Sequence, residues 1–348
     1  MFLKLTNLSF VVTVSLMFLS CTLTSPLENV QDVEVSPTAG ISDSTSLLGS
    51  TTQGRAPTTT VENLLNCAES RARVSAVGTI MAVDGTAWVV PAENNFETGP
   101  KAADLYNECT QTTYDSIQEV DLESIPVKEI DSDGEIITGY IFADNYFELY
   151  VNGELVAVDP VPFTPFNSSI VRFKAKAPIT YAVKLIDWEE NLGLGTESNR
   201  GTDYHPGDGG FVASFSDGTV TDASWRAQTF YIAPLENLES VREVGNVRDS
   251  SEANANNPSC GESCYALHYP IPEDWFSGSF DDDSWPQAVT YSNETVGVNN
   301  KLSYTNFSDV FIGAEAQFIW SSNLVLDNLV LVRKTTDFRE ALPPRSNP

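Results

Sequence analysis

The sequence predicts an all-β protein, an antiparallel β-sandwich, on three observations. Asn152-Gly153 sits between two alternating apolar runs, Phe147-Glu148-Leu149-Tyr150-Val151 and Glu154-Leu155-Val156-Ala157-Val158. An Asn-Gly pair in that setting is the strongest short-range hairpin signal, because both turn positions need positive φ. Further short runs with apolar side chains at alternate positions follow closely. No long segment in this region repeats its apolar residues at the helical period. The stretch 140–235 around this hairpin is therefore the part on which the rest is organised. With a two-residue turn, Leu149 is expected to face Val156 and Phe147 to face Val158. That places those four on one buried face, with Glu148 and Ala157 on the other.

The chain begins with a segment that does not belong to the fold. Lys4 supplies a short basic start, and residues 8–19 form an apolar run shorter than the ~20 residues that span a bilayer. Residues 1–20 therefore read as a signal peptide. Leu19-Ser20-Cys21 resembles a bacterial lipobox, in which Cys21 is lipidated; ordinary cleavage nearby, after Ser25, is the alternative. Either way the protein is expected to be exported, as an envelope lipoprotein or a secreted protein. A lipid anchor would be its only tie to a membrane. Residues 21–60, rich in Ser, Thr, Gly and Pro, bury too little to offset ordering entropy and read as a flexible tether.

A formal charge of −29, from 48 acidic against 19 basic residues, argues against nucleic acid or an anionic membrane surface as partner. Both require basic patches. What the acidity favours is solubility in a salty exterior and, in loops, hard-cation binding.

Of the five cysteines, four lie beyond Cys21: Cys67, Cys109, Cys260 and Cys264. An even count in an exported chain predicts disulfides, and four cysteines allow three connectivities. The local pairing, Cys67–Cys109 and Cys260–Cys264, is expected because each pair sits in its own segment. The first bridge would close a small β-rich unit over residues 61–119. There the run 74–83, the Asp84-Gly85 turn and Thr86-Ala87-Trp88-Val89-Val90 suggest a hairpin, and residues 102–107 one or two helical turns.

The main domain spans residues 138–334. After the first hairpin, Pro160, Pro162 and Pro165 make residues 159–166 a loop. Strands are predicted at 169–175, 179–187, 211–215 and 225–232, the last ended by Pro234, with an Asp217-Gly218 turn into 219–221. Residues 235–259 read as a polar linker, 316–320 and 327–333 as late strands, and 335–348 as a tail. Sequons at Asn167, Asn293 and Asn306 are read as chance matches, since only a eukaryotic secretory pathway would use them.

Phe280-Asp281-Asp282-Asp283-Ser284-Trp285-Pro286-Gln287-Ala288 resembles the F-D-D-S-x-W-x-x-A signature of galactose-binding-like jelly-roll domains, with one extra Asp. Phe147 to Val156 resembles the L-Y-V-N-G hairpin of the same domains, and Ala316-Gln317-Phe318-Ile319-Trp320 a late strand. Asp222-Ala223-Ser224-Trp225 repeats the Asp-x-Ser-Trp pattern. The resemblance implies a jelly-roll topology and a glycan-binding role of the kind appended to glycosidases. Because the Asp-Asp-Ser-Trp element here follows the hairpin instead of preceding it, a permuted or doubled jelly roll is implied. The physical role expected for Trp285, Trp225 and Trp320 is to cover the core.

One connection concentrates chemistry. Between residues 187 and 210 lie Asp187, Trp188, Glu189, Glu190, Asp203, Tyr204, His205 and Asp208, punctuated by glycines. Loops this long without regular structure are uncommon and often functional. Asp187, Glu189, Glu190, Asp203 and Asp208 would suit calcium, while Trp188, Tyr204 and His205 are the candidate sugar contacts. The function expected is a non-catalytic carbohydrate-binding or adhesive cell-surface module, its partner a glycan or surface polysaccharide. Two alternatives stand beside it: a secreted polysaccharide hydrolase using paired carboxylates such as Glu189 and Asp208, and a purely structural envelope protein. No Gly-x-Ser-x-Gly, His-Glu-x-x-His or phosphate-cradling motif is present.

Overall fold

The computed structural model describes residues 49–68, 72–198, 205–256 and 258–336. The predicted leader, Cys21, residues 22–48 of the tether, Asp203, Tyr204 and residues 337–348 lie outside the described residues. What is described is nearly all β, and its longest helix is Ser308–Ile312.

Two large sheets enclose the main core. The first has seven strands in the order Ser50–Gln53, Tyr265–His268, Arg226–Leu235, Asp327–Thr335, Thr180–Ile186, Tyr146–Val151, Glu154–Val158. In the second, the order is Val289–Tyr291, Phe318–Trp320, Gly210–Phe215, Glu135–Asp144, Ser168–Ala175, Ala103–Asn107, Thr112–Thr113, and Lys128–Glu129 adds a parallel pairing to Ser168–Ala175. Phe147, Leu149, Val183, Leu185, Val330 and Val332 of the first sheet meet Phe142, Val171, Phe173, Phe211 and Phe215 of the second in one apolar cluster. The outer face of the seven-stranded sheet is covered as well. Tyr146, Tyr150, Ile186, Tyr231 and Leu331 pack there under Phe96, Phe163, Trp275 and Trp285.

That double covering corrects the hairpin reading. Asn152 and Gly153 do form the turn, with φ of 49° and 89°. A bulge then shifts the register, so that Leu155 faces Tyr150 but Ala157 faces Leu149 and Val158 faces Glu148. Val158 therefore lies on the side away from Phe147. Nor does Glu148 face solvent. It is fully buried, ion-paired to Lys184 at 3.1 Å and hydrogen-bonded by Asn95, Tyr146 and Tyr150. A strand buried on both faces carries no polar-out alternation to read.

Other expectations move for similar reasons. Residues 103–107, expected as helical turns, form a strand beside Ser168–Ala175. The last residues of the predicted tether are ordered: Ser50–Gln53 pairs with Tyr265–His268, burying Thr52 on His268 at 2.9 Å. Thr58–Val61 joins Val77–Met81 and Ala87–Val90 in a three-stranded sheet whose Asp84-Gly85 turn is the one predicted. The strand expected to stop at Pro234 runs on to Leu235.

Both disulfides have the expected partners, Cys67–Cys109 and Cys260–Cys264, as befits a chain that folds in an oxidising compartment. Among the described residues no helix is long and apolar enough to cross a membrane. The two Asp-x-Ser-Trp segments make matching turns: Trp225 N–H donates to Asp222 O at 3.2 Å and Trp285 N–H to Asp282 O at 2.9 Å. Trp225, Trp285 and Trp320 are all buried, in keeping with core-covering roles.

Candidate functional site

Two connections that cross between the sheets, at residues 144–145 and 187–209, meet at one end of the sandwich. Asp144 ends the strand Glu135–Asp144, and Asn145 carries the chain over to Tyr146–Val151. Asp187 follows Thr180–Ile186, and Asp208 precedes Gly210–Phe215. Pairing holds these ends together: Gly210 is the register partner of Asp144, and Asn145 N–H donates to Ile186 O at 3.3 Å. The Asn145 carboxamide works both ways, accepting from the Trp188 backbone N–H and donating to Asp144 Oδ1.

Here a cleft of about 870 Å³ opens. Asp144, Asp187 and Asp208 line it with Asn145, His205 and Arg73, and Phe166, Lys301 and Leu302 form another part of its wall. Burial pushes the Asp144 carboxyl well above the usual carboxylate range, and the charges of Asp208 and Asp187 push it further. Asp187 is raised in the same way, first by burial and then by Asp208. Arg73 lowers both, but its guanidinium is committed to Glu197 and, at 3.7 Å, to Glu190. Glu197 in turn lies 3.6 Å from His205 Nε2, and the two residues' backbones bridge the long connection. Lys301 sits 4.4 Å from the Phe166 ring centroid, a cation held on an aromatic face.

The predicted site residues separate. Trp188 is 0 % exposed, its indole N–H donated to Ala76 O at 3.2 Å and its ring edge-on to Tyr146. It is therefore a core residue and offers no face to a sugar. The reason is position: it follows a central strand at the point where the chain leaves the sheet, and the apolar surface around Tyr146 takes it in. His205 lines the cleft. Tyr204 and Asp203 lie outside the described residues.

Of the five carboxylates expected to share a cation, Glu190 turns to Arg73 and accepts from Ser198 N–H at 2.9 Å. Glu189 accepts from Gly207 N–H at 2.6 Å and does not line the cleft. That also separates Glu189 from Asp208 as an acid–base pair across one opening. Among the described residues no group of three His, Cys, Asp or Glu side chains is arranged to hold a metal ion.

Sequence reasoning missed Asp144, Asn145, Arg73 and Lys301. For the first two a signal existed: Asp144-Asn145 interrupts an otherwise apolar run between Ala143 and Tyr146. Polar residues at full burial are rare unless partnered or functional. No family model, no curated protein and no solved structure matches the chain.

Proposed function

We propose that the protein is a carbohydrate-binding module and that the cleft at the crossover end of its β-sandwich takes the saccharide. What carries the reading is the lining of the cleft. Acceptors (Asp144, Asp187, Asp208), groups that donate (Asn145, Lys301) and an apolar ring and side chain (Phe166, Leu302) surround a single opening. Sugars present both hydroxyls and C–H faces, and bidentate polar groups beside an apolar wall suit them. Carboxylates that open on the cleft from different crossovers are pre-positioned by the sheets instead of by a mobile loop. Export and a surface location accord with such a role. A calcium requirement belongs to the same proposal and is read by adding chelator.

The test is a glycan-array screen of the chain lacking residues 1–48, with and without chelator, repeated with Asp208→Asn and Phe166→Ala. Retention of at least one glycan class, weakened ~10-fold or more by either variant, is the expected result; loss of one charged hydrogen bond or one stacking contact is worth about that much. No retention of any glycan refutes the reading. Release of shortened products in place of retention would transfer the site to the hydrolase alternative.

A further inference from the structure

Away from the cleft, a lysine, a carboxylate and an asparagine meet on the outer face of the seven-stranded sheet. Lys184 stands in the strand Thr180–Ile186 directly opposite Glu148, on the side of Tyr146 and Tyr150. Their side chains are 10 % and 0 % exposed. Asn95 reaches the pair from the connection between Ala87–Val90 and Ala103–Asn107.

One oxygen joins all three residues. Glu148 Oε2 lies 3.1 Å from Lys184 Nζ and accepts from Asn95 Nδ2 at 2.8 Å. The amine and the carboxamide nitrogen are therefore no further apart than those two contacts laid end to end. The surroundings hold this arrangement from several sides. Lys184 Nζ also donates to Glu93 O at 3.2 Å, and Asn95 Nδ2 to the Tyr150 hydroxyl at 3.0 Å. The Tyr146 and Tyr150 hydroxyls donate to Glu148 at 3.2 and 3.0 Å, and the Asn95 backbone N–H donates to its Oε1. A buried ion pair needs only Lys184 and Glu148. The carboxamide on the same oxygen adds an electrophile beside a primary amine, with a proton carrier between them.

We propose that Lys184 and Asn95 join in an intramolecular isopeptide bond, with Glu148 carrying the protons. Glu148 takes a proton from the Lys184 ammonium, and the freed Nζ lone pair adds to Asn95 Cγ. The Cγ–Nδ2 bond then breaks. Two protons pass in all from Nζ through Glu148 to Nδ2, which leaves as ammonium, and Glu148 ends as it began. One ammonium and one carboxamide thus give one secondary amide and one ammonium ion. Nothing is oxidised or reduced, and no co-reactant enters. Fixing both reactants in place replaces an encounter in solution, an advantage that reaches ~10⁵ M or more in effective concentration for well-oriented groups. A carboxylate within hydrogen-bond reach of both nitrogens is what proton transfer requires.

The Cys67–Cys109 bridge already encloses residue 95 in a loop, and the new bond would fasten that loop to an interior strand of the sheet. The inference stands apart from the saccharide reading, since none of the three residues lines the cleft.

The experiment reduces and alkylates the full chain, digests it with trypsin and weighs the peptides. An acylated Lys184 resists cleavage, so the expected product joins residues 74–101 to residues 177–200 and weighs one ammonia less than their sum. Fragment spectra should place the bond on Asn95 and not on Asn94. Lys184→Arg, which keeps the charge but offers no primary amine, should lose the linked peptide altogether. Lys101→Arg, whose lysine lies 3.5 Å from the centre of the Phe96 ring, should retain it. Glu148→Gln should slow linkage ~100-fold or more after refolding, the usual worth of a positioned acid–base group. Should Glu148→Gln fail to fold, the peptides of the unaltered chain still decide. The proposal is overturned if that chain yields residues 74–101 and 177–184 only as separate peptides. It is equally overturned if the bond falls on Asn94, or forms as fast in Glu148→Gln.

Discussion

Asp281-Asp282-Asp283-Ser284-Trp285 and Asp187-Trp188-Glu189-Glu190 are two acidic segments with a tryptophan apiece, and the fold uses them differently. In the first, acidity is spent on a turn. Asp281 accepts from Asp283 N–H at 3.0 Å, and Asp282 takes Arg333 Nε at 2.8 Å. Arg333 is 1 % exposed and also donates to the carbonyls of Trp275, Ser277 and Phe280. The buried charge is thus paired, and each of its three nitrogens donates to a partner, the condition under which burial is tolerated. In the second segment the carboxylates themselves are buried, and Asp187 and Glu189 each keep an oxygen without a partner. Density of acid along the chain does not mark a site.

Removing Arg333 should have the largest effect. Arg333→Leu leaves three carbonyls and Asp282 without their donor, and stability should fall by roughly 3–5 kcal/mol in denaturant titrations. A loss below about 1 kcal/mol would mean that the acidic turn is ornamental, and the contrast would collapse.

Asp327 is an intermediate case, and it sharpens the contrast through pH. It is fully buried, accepting from Ser250 and Ser321 at 2.6 Å each, and burial raises its pKa to about 7 despite those bonds. The folded state then holds a proton that the unfolded chain, with an Asp pKa near 3.9, has released. This group's stability contribution is therefore full at about pH 4 and lost as pH rises through about 7, by on the order of 3–4 kcal/mol. Asp327→Asn should remove that falling arm. His268, held at about 3 by burial, contributes a rising slope as pH increases through the acid range, and it cancels in the difference between the two proteins. Parallel stability curves for the two would show that Asp327 is not held protonated.

The smallest effect compares the two segments directly. In chelator, Asp282→Asn should cost about 1–3 kcal/mol, because Arg333 stays buried with a weaker partner. Asp187→Asn should be neutral or stabilising by up to ~1 kcal/mol, since a neutral amide relieves burial of a like-charged group beside Asp208. Equal losses at both positions would erase the distinction.

What the chain determined locally is considerable. The Asn152-Gly153 and Asp84-Gly85 turns, the run of short strands and both disulfides were legible because each depends on residues close in sequence or on cysteine count. Register within the hairpin was not, since the bulge that moves Val158 is set by packing on two faces of a sheet. Residues 103–107 look like helix by composition but complete a distant strand's edge. The long connection stood out in the sequence by its glycines and acids, yet the role of each acid did not. Asp144 belongs to one crossing and Asp187 and Asp208 to the two ends of another, and only the closing of the two sheets brings them to one cleft. Trp188 and Glu189 are neighbours in the chain, and the core draws in one while a void receives the other. Local backbone chemistry acts over a few residues and can be read along the chain. Burial is a property of the assembled sheets, and it decided which of 48 acidic residues stand where charge is costly.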